Sequence, residues 1–217
     1  MSHRAGSERR LDEALAATDR RRFLPEELRG RAGEDRPLPI GHGQTNSQPT
    51  TVRNMLALLD VRPGQRVLDL GAGSGWTTAL LARLCGPEGR VIGVERRAEL
   101  ISPARAALAG TADAGTASAE IRLAHPGVLG APEGAPYDRI LVSAQADAVP
   151  RSLTAQLADG GVMVIPVRER MLRLERRGEE VAASEHGAYV FVPLVEDPPT
   201  TRLTQRRTLG ACAGPDR

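Results

Sequence analysis

Apolar positions along the chain change period several times, and those changes divide it. Leu11, Ala14 and Leu15 recur at helical spacing and predict a first helix over 8–17; the Arg- and Pro-rich stretch 20–39 carries no period. Val52, Met55, Leu56 and Leu59 then share one face, predicting a helix over 50–59 entered at Pro49 and ended by Arg62-Pro63-Gly64. From Gln65 onward short apolar runs alternate with helical stretches. Strands are predicted at 66–70, 90–95, 119–123, 137–144 and 161–167, and helices at 75–84, 98–108 and 150–157. Such alternation predicts a mostly parallel sheet covered on both faces. The segments 171–176 and 188–195 read as an antiparallel pair closing the sheet. The Pro/Thr/Arg-rich remainder offers no core and reads as a flexible tail. The expected organisation is one structural domain: a helical and loop segment over 1–60, an α/β core over 61–196, and a tail over 197–217.

Composition narrows the function class. The 217 residues, 41% hydrophobic and 26% charged, suffice for one large domain that needs no disulfide or metal staple. Cys85 and Cys212 are too few for a disulfide framework, and no carboxylate–histidine spacing supports a metal. No apolar run approaches about 18 residues, and the start Met1-Ser2-His3-Arg4 lacks a signal-peptide core, so a soluble cytoplasmic protein with no membrane partner is expected. All basic side chains are arginine, 29 against 27 acidic, leaving only +2. That balance, with one Trp, two Tyr and two Phe, argues against a nucleic-acid partner. The run Arg20-Arg21-Arg22 reads as a solvated charge run, His42 and His125 as loop histidines, and Cys85, Met55 and Met163 as packing residues.

Candidate chemistry starts at the first predicted strand–helix junction, Asp69-Leu70-Gly71-Ala72-Gly73-Ser74-Gly75. Glycines there let the backbone turn sharply and approach a ligand at the carboxyl edge of the sheet. Glu95 ends the following strand, where a carboxylate can accept both ribose hydroxyls. A dinucleotide fingerprint requires its third glycine one position later, and a carboxylate at Asp69 would repel pyrophosphate. It would attract an α-amino group. S-adenosylmethionine carries an ammonium, a sulfonium and a ribose but no phosphate, so the arrangement favours that cofactor.

Upstream, Leu38-Pro39-Ile40-Gly41-His42-Gly43-Gln44-Thr45-Asn46-Ser47-Gln48-Pro49 forms a polar loop immediately ahead of a helix. Ser47 is placed to cap that helix, and the same hydroxyl, with the helix N-terminus, could meet an anionic acceptor. At these two segments the chain resembles the protein-L-isoaspartate (D-aspartate) O-methyltransferases. Members carry Leu-Pro-Ile-Gly-x-Gly-Gln-Thr-Ile-Ser-Gln-Pro and a Val-Leu-Asp/Glu-x-Gly-x-Gly-Ser-Gly-Tyr loop, matched here at 38–49 with Asn46 for isoleucine and at 67–76 with Trp76 for tyrosine. Further matches are Pro136-Tyr137-Asp138-Arg139-Ile140, Ile165-Pro166-Val167 and Phe191-Val192-Pro193-Leu194, so the likeness runs from about Asp19 to Val195.

The resemblance implies a Rossmann-like, doubly wound methyltransferase sheet and S-adenosyl-L-methionine as cofactor. It implies esterification of the free carboxylate of isoaspartyl residues in damaged proteins or peptides. Ser47 would be the active-site residue, with Gln44, Thr45 and Asn46 lining cofactor and acceptor. Asp69, Gly71 and Gly73 would surround the methionine part and Glu95 would hold the ribose, with Ala72, Arg96 and Gly127 also among the cofactor-binding residues. Two departures stand out. Asn46 adds a polar group beside Ser47, and His125-Pro126-Gly127 replaces the family's usual Gly-Asp-Gly, removing an acceptor for the adenine amino group. Two alternatives stay open from the sequence: a carboxyl methyltransferase acting on a ribosomally made natural-product peptide, and a non-catalytic cofactor-binding relative.

Overall fold

A computed structural model describes residues 3–195. The chain begins with helix α1 (His3–Ala17), longer than its apolar period indicated, then two short 3-10 turns at Arg20–Phe23 and Glu26–Arg31. The motif segment expected as loop is a β-hairpin, β1 (Leu38–Gly41) and β2 (Gln44–Asn46). Its tip residues, His42 and Gly43, have φ of 54° and 70°. Positive φ at both positions is what a two-residue type I′ turn demands. Helix α2 (Pro49–Leu59) follows, with Val52, Met55, Leu56 and Leu59 buried as the period predicted.

A seven-stranded sheet forms the centre. Its strands are β3 (Arg66–Leu70), β4 (Arg90–Glu95), β5 (Ser118–Leu123), β6 (Tyr137–Val142), β7 (Leu157–Val167), β8 (Arg170–Arg177) and β9 (Glu180–Ala188), in the order β5-β4-β3-β6-β7-β8-β9. The first five in that row pair in parallel; β8 and β9 are antiparallel additions. The chain winds outward from β3 through β4 to β5, then returns to the other side of β3 as β6. Carboxyl ends of β3 and β6 therefore flank a topological switch point, where open α/β sheets form a crevice.

Strand alternation splits the core in two. One cluster joins Val67, Val91, Leu141 and Val164 to α1, α2, α3 (Trp76–Cys85) and α4 (Ala98–Ala109). It includes Leu11, Phe23, Val52 and Met55, so the N-terminal segment shares the sheet's core. Leu68, Leu70, Ile140, Val142, Met163 and Ile165 face the other way, against Leu129, Ala131 and Leu153. Among the described residues, only the single-turn helix α5 (Arg151–Thr154) and the 3-10 turn Pro132–Gly134 lie between strands on that side. Cys85, Met55 and Met163 are buried as expected.

The closing strand pair differs from expectation. β8 pairs with Glu180–Ala188, whose side chains are almost all exposed, and not with 188–195. An edge strand that buries neither face has no apolar alternation to reveal it. The apolar run 190–195 instead crosses the carboxyl edge of the sheet, where Gln145 N–H donates to the Val192 carbonyl at 2.8 Å and Leu194 N–H to the Gln145 carbonyl at 2.7 Å. The tail expected over 197–217 lies outside the described residues.

Candidate active site

At the switch point the chain leaves β3 through Gly71, with φ of 83°, and enters α3 from Gly75, with φ of 89°. Both values lie where L side chains are strained. A Cβ on Gly71 would sit 3.5 Å from the main chain of Ser143, just past β6, filling the space at the mouth of the crevice. A Cβ on Gly75 would come within 2.9 Å of Ile121 Cδ1.

The crevice above this turn encloses about 890 Å³, within the range of small-molecule sites. Ten of the eleven site residues predicted from sequence line it: Gln44, Thr45, Asn46, Ser47, Gly71, Ala72, Gly73, Glu95, Arg96 and Gly127. The eleventh, Asp69, lies under the wall and not on it. Its side chain is fully buried, and Oδ2 accepts hydrogen bonds from the Thr77 and Thr78 hydroxyls at 2.7 Å each. Strand alternation points Asp69 at α3, where consecutive threonines meet it. Oδ1 has no partner. Burial, reinforced by the negative charge of Glu95 and only partly offset by the two hydroxyls, pushes the carboxyl up to about 6. Direct contact with an α-amino group, expected from sequence, gives way to a charge held beneath the turn.

Glu95, at the end of β4, is 7% exposed. Its Oε2 accepts the Gly73 N–H at 2.8 Å and its Oε1 the Arg97 N–H at 2.7 Å. Each oxygen keeps acceptor capacity toward the crevice, since a carboxylate offers about four lone-pair sites. His125 and Pro126 sit exposed on the opposite wall, with His125 Nδ1 3.0 Å from the Pro126 carbonyl.

Ser47 is not the helix cap. The residue preceding α2 is Gln48, which makes no side-chain cap bond. Asp35 does the capping from 15 residues upstream: its Oδ1 accepts the Thr50 N–H at 2.9 Å, and its Oδ2 accepts from Thr50 Oγ1 at 2.8 Å and Gln48 Nε2 at 3.0 Å. These bonds hold the Asp35 carboxyl below the ordinary aspartate value. Relieved of that duty, the Ser47 hydroxyl makes no hydrogen bond among the described residues and lines the crevice.

Sequence reasoning missed much of the lining and of what stands behind it, Val190–Val195 and Arg20 among them. Val190–Val195 forms one wall; its apolar pattern signalled burial but was ascribed to a strand. Arg20, expected as part of a solvated run, is 5% exposed and bonded to the carbonyls of Asn46 and Ser47 at 3.1 and 2.9 Å. Nothing in an Arg-Arg-Arg run distinguishes its buried member. Among the described residues no group of three or more His, Cys, Asp or Glu could hold a metal ion, and no helix is long and apolar enough to cross a membrane.

The pieces suit a cationic nucleoside: a glycine turn without side chains, an acceptor carboxylate at the end of β4, and a buried carboxyl beneath the turn whose Oδ1 has no partner among the described residues. Comparison with known proteins agrees. The family model for protein-L-isoaspartate(D-aspartate) O-methyltransferase matches residues 2–198. A protein-L-isoaspartate O-methyltransferase of Methanopyrus kandleri is 48% identical over 191 residues, covering 86% of this chain and 83% of its own. One from Anaeromyxobacter dehalogenans strain 2CP-C is 48% identical over 205 residues, covering 92% and 95%. Among solved structures, a protein-L-isoaspartate O-methyltransferase superposes with a TM-score of 0.76 at 23% identity, covering 88% of this chain and 62% of that one. A Plasmodium falciparum protein assigned to the same activity, in complex with S-adenosyl-L-homocysteine, gives 0.73 at 23% identity, covering 87% and 91%. These two structures bear out the α/β fold; the family model and the sequence relatives carry the assignment, and this chain belongs to the protein-L-isoaspartate(D-aspartate) O-methyltransferase family.

Proposed function

We propose that the chain is a cytoplasmic enzyme that uses S-adenosyl-L-methionine to methylate the free carboxylate of L-isoaspartyl and D-aspartyl residues in damaged proteins. One observation carries the reading: a serine hydroxyl with no hydrogen bond among the described residues and the glycine turn that follows β3 line the same crevice. The Gly71–Gly73 backbone would cradle the methionine part, Glu95 would accept from the ribose, and Gly127 would border the adenine. Asp69 acts through its field, as a negative charge under the turn favouring a cation above it.

When bound, the cofactor supplies an electrophilic methyl group on a sulfonium. The acceptor carboxylate is already ionised at neutral pH, so the chain needs no general base. Its work is alignment, which can supply about 7–11 kcal/mol of a barrier. Ser47 donates from a neutral hydroxyl to one carboxylate oxygen and thereby aims the other. A neutral donor suits the step, because the acceptor loses negative charge on the way to the ester and a direct cation contact would stabilise the ground state more. Once the ester forms, the neighbouring backbone amide displaces methanol to give a succinimide, which reopens partly to normal aspartate.

Methyl transfer from labelled cofactor to an isoaspartyl peptide and to its aspartyl isomer tests the reading. Transfer to the isoaspartyl peptide is expected to dominate. A preference for the aspartyl isomer would replace repair with dedicated peptide maturation, and no transfer to either would end the proposal.

A further inference from the structure

Arg20 lies behind the crevice wall, and its geometry is unlike that of the other arginines. The Nε donates to Asn46 Oδ1 at 2.7 Å. Nη1 donates to the carbonyls of Ala32 and Glu34 at 3.2 and 2.9 Å, and Nη2 to those of Arg36, Asn46 and Ser47 at 2.9, 3.1 and 2.9 Å. Every oxygen it meets is neutral. The acceptors fall in two segments, 32–36 leading into β1 and 46–47 leaving β2. One planar fork therefore closes the base of the β1–β2 hairpin at the end away from its His42–Gly43 tip. A guanidinium can serve so many acceptors because its five N–H groups are fixed in one plane; an ammonium has three on a single point.

The contacts continue to the glycine turn. Asn46, 4% exposed, receives from Arg20 on its carboxamide oxygen and donates from Nδ2 to Ser74 Oγ at 3.0 Å. The Arg20 guanidinium also lies 5.4 Å from the ring centroid of Trp76, the first residue of α3, and Trp76 Nε1 donates to the Thr18 carbonyl at 3.1 Å. Hairpin base and cofactor turn are thus joined twice, once through Asn46–Ser74 and once through Arg20–Trp76. Ser47 sits between the two joints with its carbonyl held and its hydroxyl free.

We propose that Arg20 is a positioning residue for methyl transfer, fixing the Ser47 main chain and, through the Asn46 carboxamide and Ser74, setting the hairpin's register against the glycine turn. Arg20 touches neither reactant in this scheme; it acts through Ser47 and Asn46. The catalytic half of the claim rests on the function proposed above, while the structural half stands apart from it. The polar Asn46 thereby has a task other than contact with the cofactor.

Two variants test this. Arg20→Lys keeps the charge and removes the fork; Ser74→Ala cuts the joint at the turn and leaves Arg20 fully bonded. Each is compared with wild type by amide hydrogen exchange of the free enzyme and by kcat and KM with an isoaspartyl peptide, kcat being normalised to cofactor-binding sites counted by calorimetry. For Arg20→Lys, exchange over 44–48 should accelerate at least tenfold while strand 66–70 is unchanged. Its normalised kcat should fall at least tenfold with KM for cofactor within threefold. For Ser74→Ala, a threefold to tenfold loss of kcat is expected at unchanged melting temperature. Exchange and normalised kcat within twofold of wild type in both variants would overturn the proposal. Should Arg20→Lys fail to fold, Ser74→Ala decides alone by the same thresholds. If wild type does not methylate the isoaspartyl peptide, the function falls separately, and the exchange data still decide whether Arg20 fixes the hairpin.

Discussion

Replacing Asp69 with asparagine should make the protein more stable and its cofactor binding weaker, with a pH signature that identifies the cause. The carboxyl is fully buried and raised from 3.8 to about 6, so ionising it in the folded state costs about 3 kcal/mol at about 1.4 kcal/mol per tenfold. For an acid raised on folding, the native state holds its proton more tightly than the unfolded chain. The penalty is therefore absent below the unfolded value, grows as pH rises from 3.8 toward 6, and is constant above. Asparagine does not ionise and carries no such term; its carboxamide oxygen can still accept from the Thr77 and Thr78 hydroxyls. Urea unfolding of both proteins at about pH 4.5 and about pH 7.5 should show the variant's advantage growing by about 2 kcal/mol, the part of the penalty that develops between those values. Calorimetry with S-adenosylmethionine at the higher pH should show lower affinity, since the anion beneath the turn is gone. A stability difference independent of pH would refute the buried-anion argument, and unchanged affinity would remove Asp69 from cofactor recognition.

Other perturbations separate roles that sequence merges. Ser47→Ala should lower turnover with isoaspartyl peptide about tenfold to a hundredfold, the size of a modest misalignment, with no change in melting temperature. A stability loss of about 1 kcal/mol, the usual worth of an N-cap, would show that serine caps after all. Asp35→Ala should lower the urea midpoint instead, because it removes the acceptor of the Thr50 N–H. Because the Asp35 carboxyl is held low, its contribution is present at neutral pH and disappears as pH falls through the folded value; a wild-type-like urea midpoint at neutral pH would contradict the capping geometry. Gly75→Ala forces φ of 89° on a residue with a Cβ 2.9 Å from Ile121 Cδ1, and should cost about 2–3 kcal/mol in unfolding free energy; a loss under about 1 kcal/mol would mean the turn relaxes freely. Pro126→Asp restores an acceptor beside the expected adenine position and should tighten cofactor binding about tenfold to a hundredfold, the worth of one charge-assisted hydrogen bond. Equal affinities would place the adenine elsewhere.

How far the sequence could be read depended on whether each feature has a local cause. The helix faces at 52–59 and 98–109, the apolar strands from 66 to 167 and the glycine turn all follow from period or from backbone freedom, and the structure has them within a few residues. Strand β9 left no trace because it packs on nothing, while 190–195 looked like a strand because its side chains cover a crevice. Ser47 occupies the position a helix cap would take, and only the return of the chain at Asp35 shows the cap supplied from elsewhere. Asp69 reads as a ligand for a cation until the two threonines of α3 are seen on it.

Sequence alone determined the α/β architecture, the cofactor turn and ten of the residues that line the crevice, since these arise from alternation, helical spacing and a motif that runs continuously along the chain. Tertiary structure alone decided which charges are buried and which hydroxyl is free. Burial and hydrogen-bond partnership are properties of what the folded chain brings alongside a side chain from far away: segments 32–36 and 46–47 around Arg20, α3 over Asp69, and Asp35 at the start of α2. A linear pattern carries no term for those meetings.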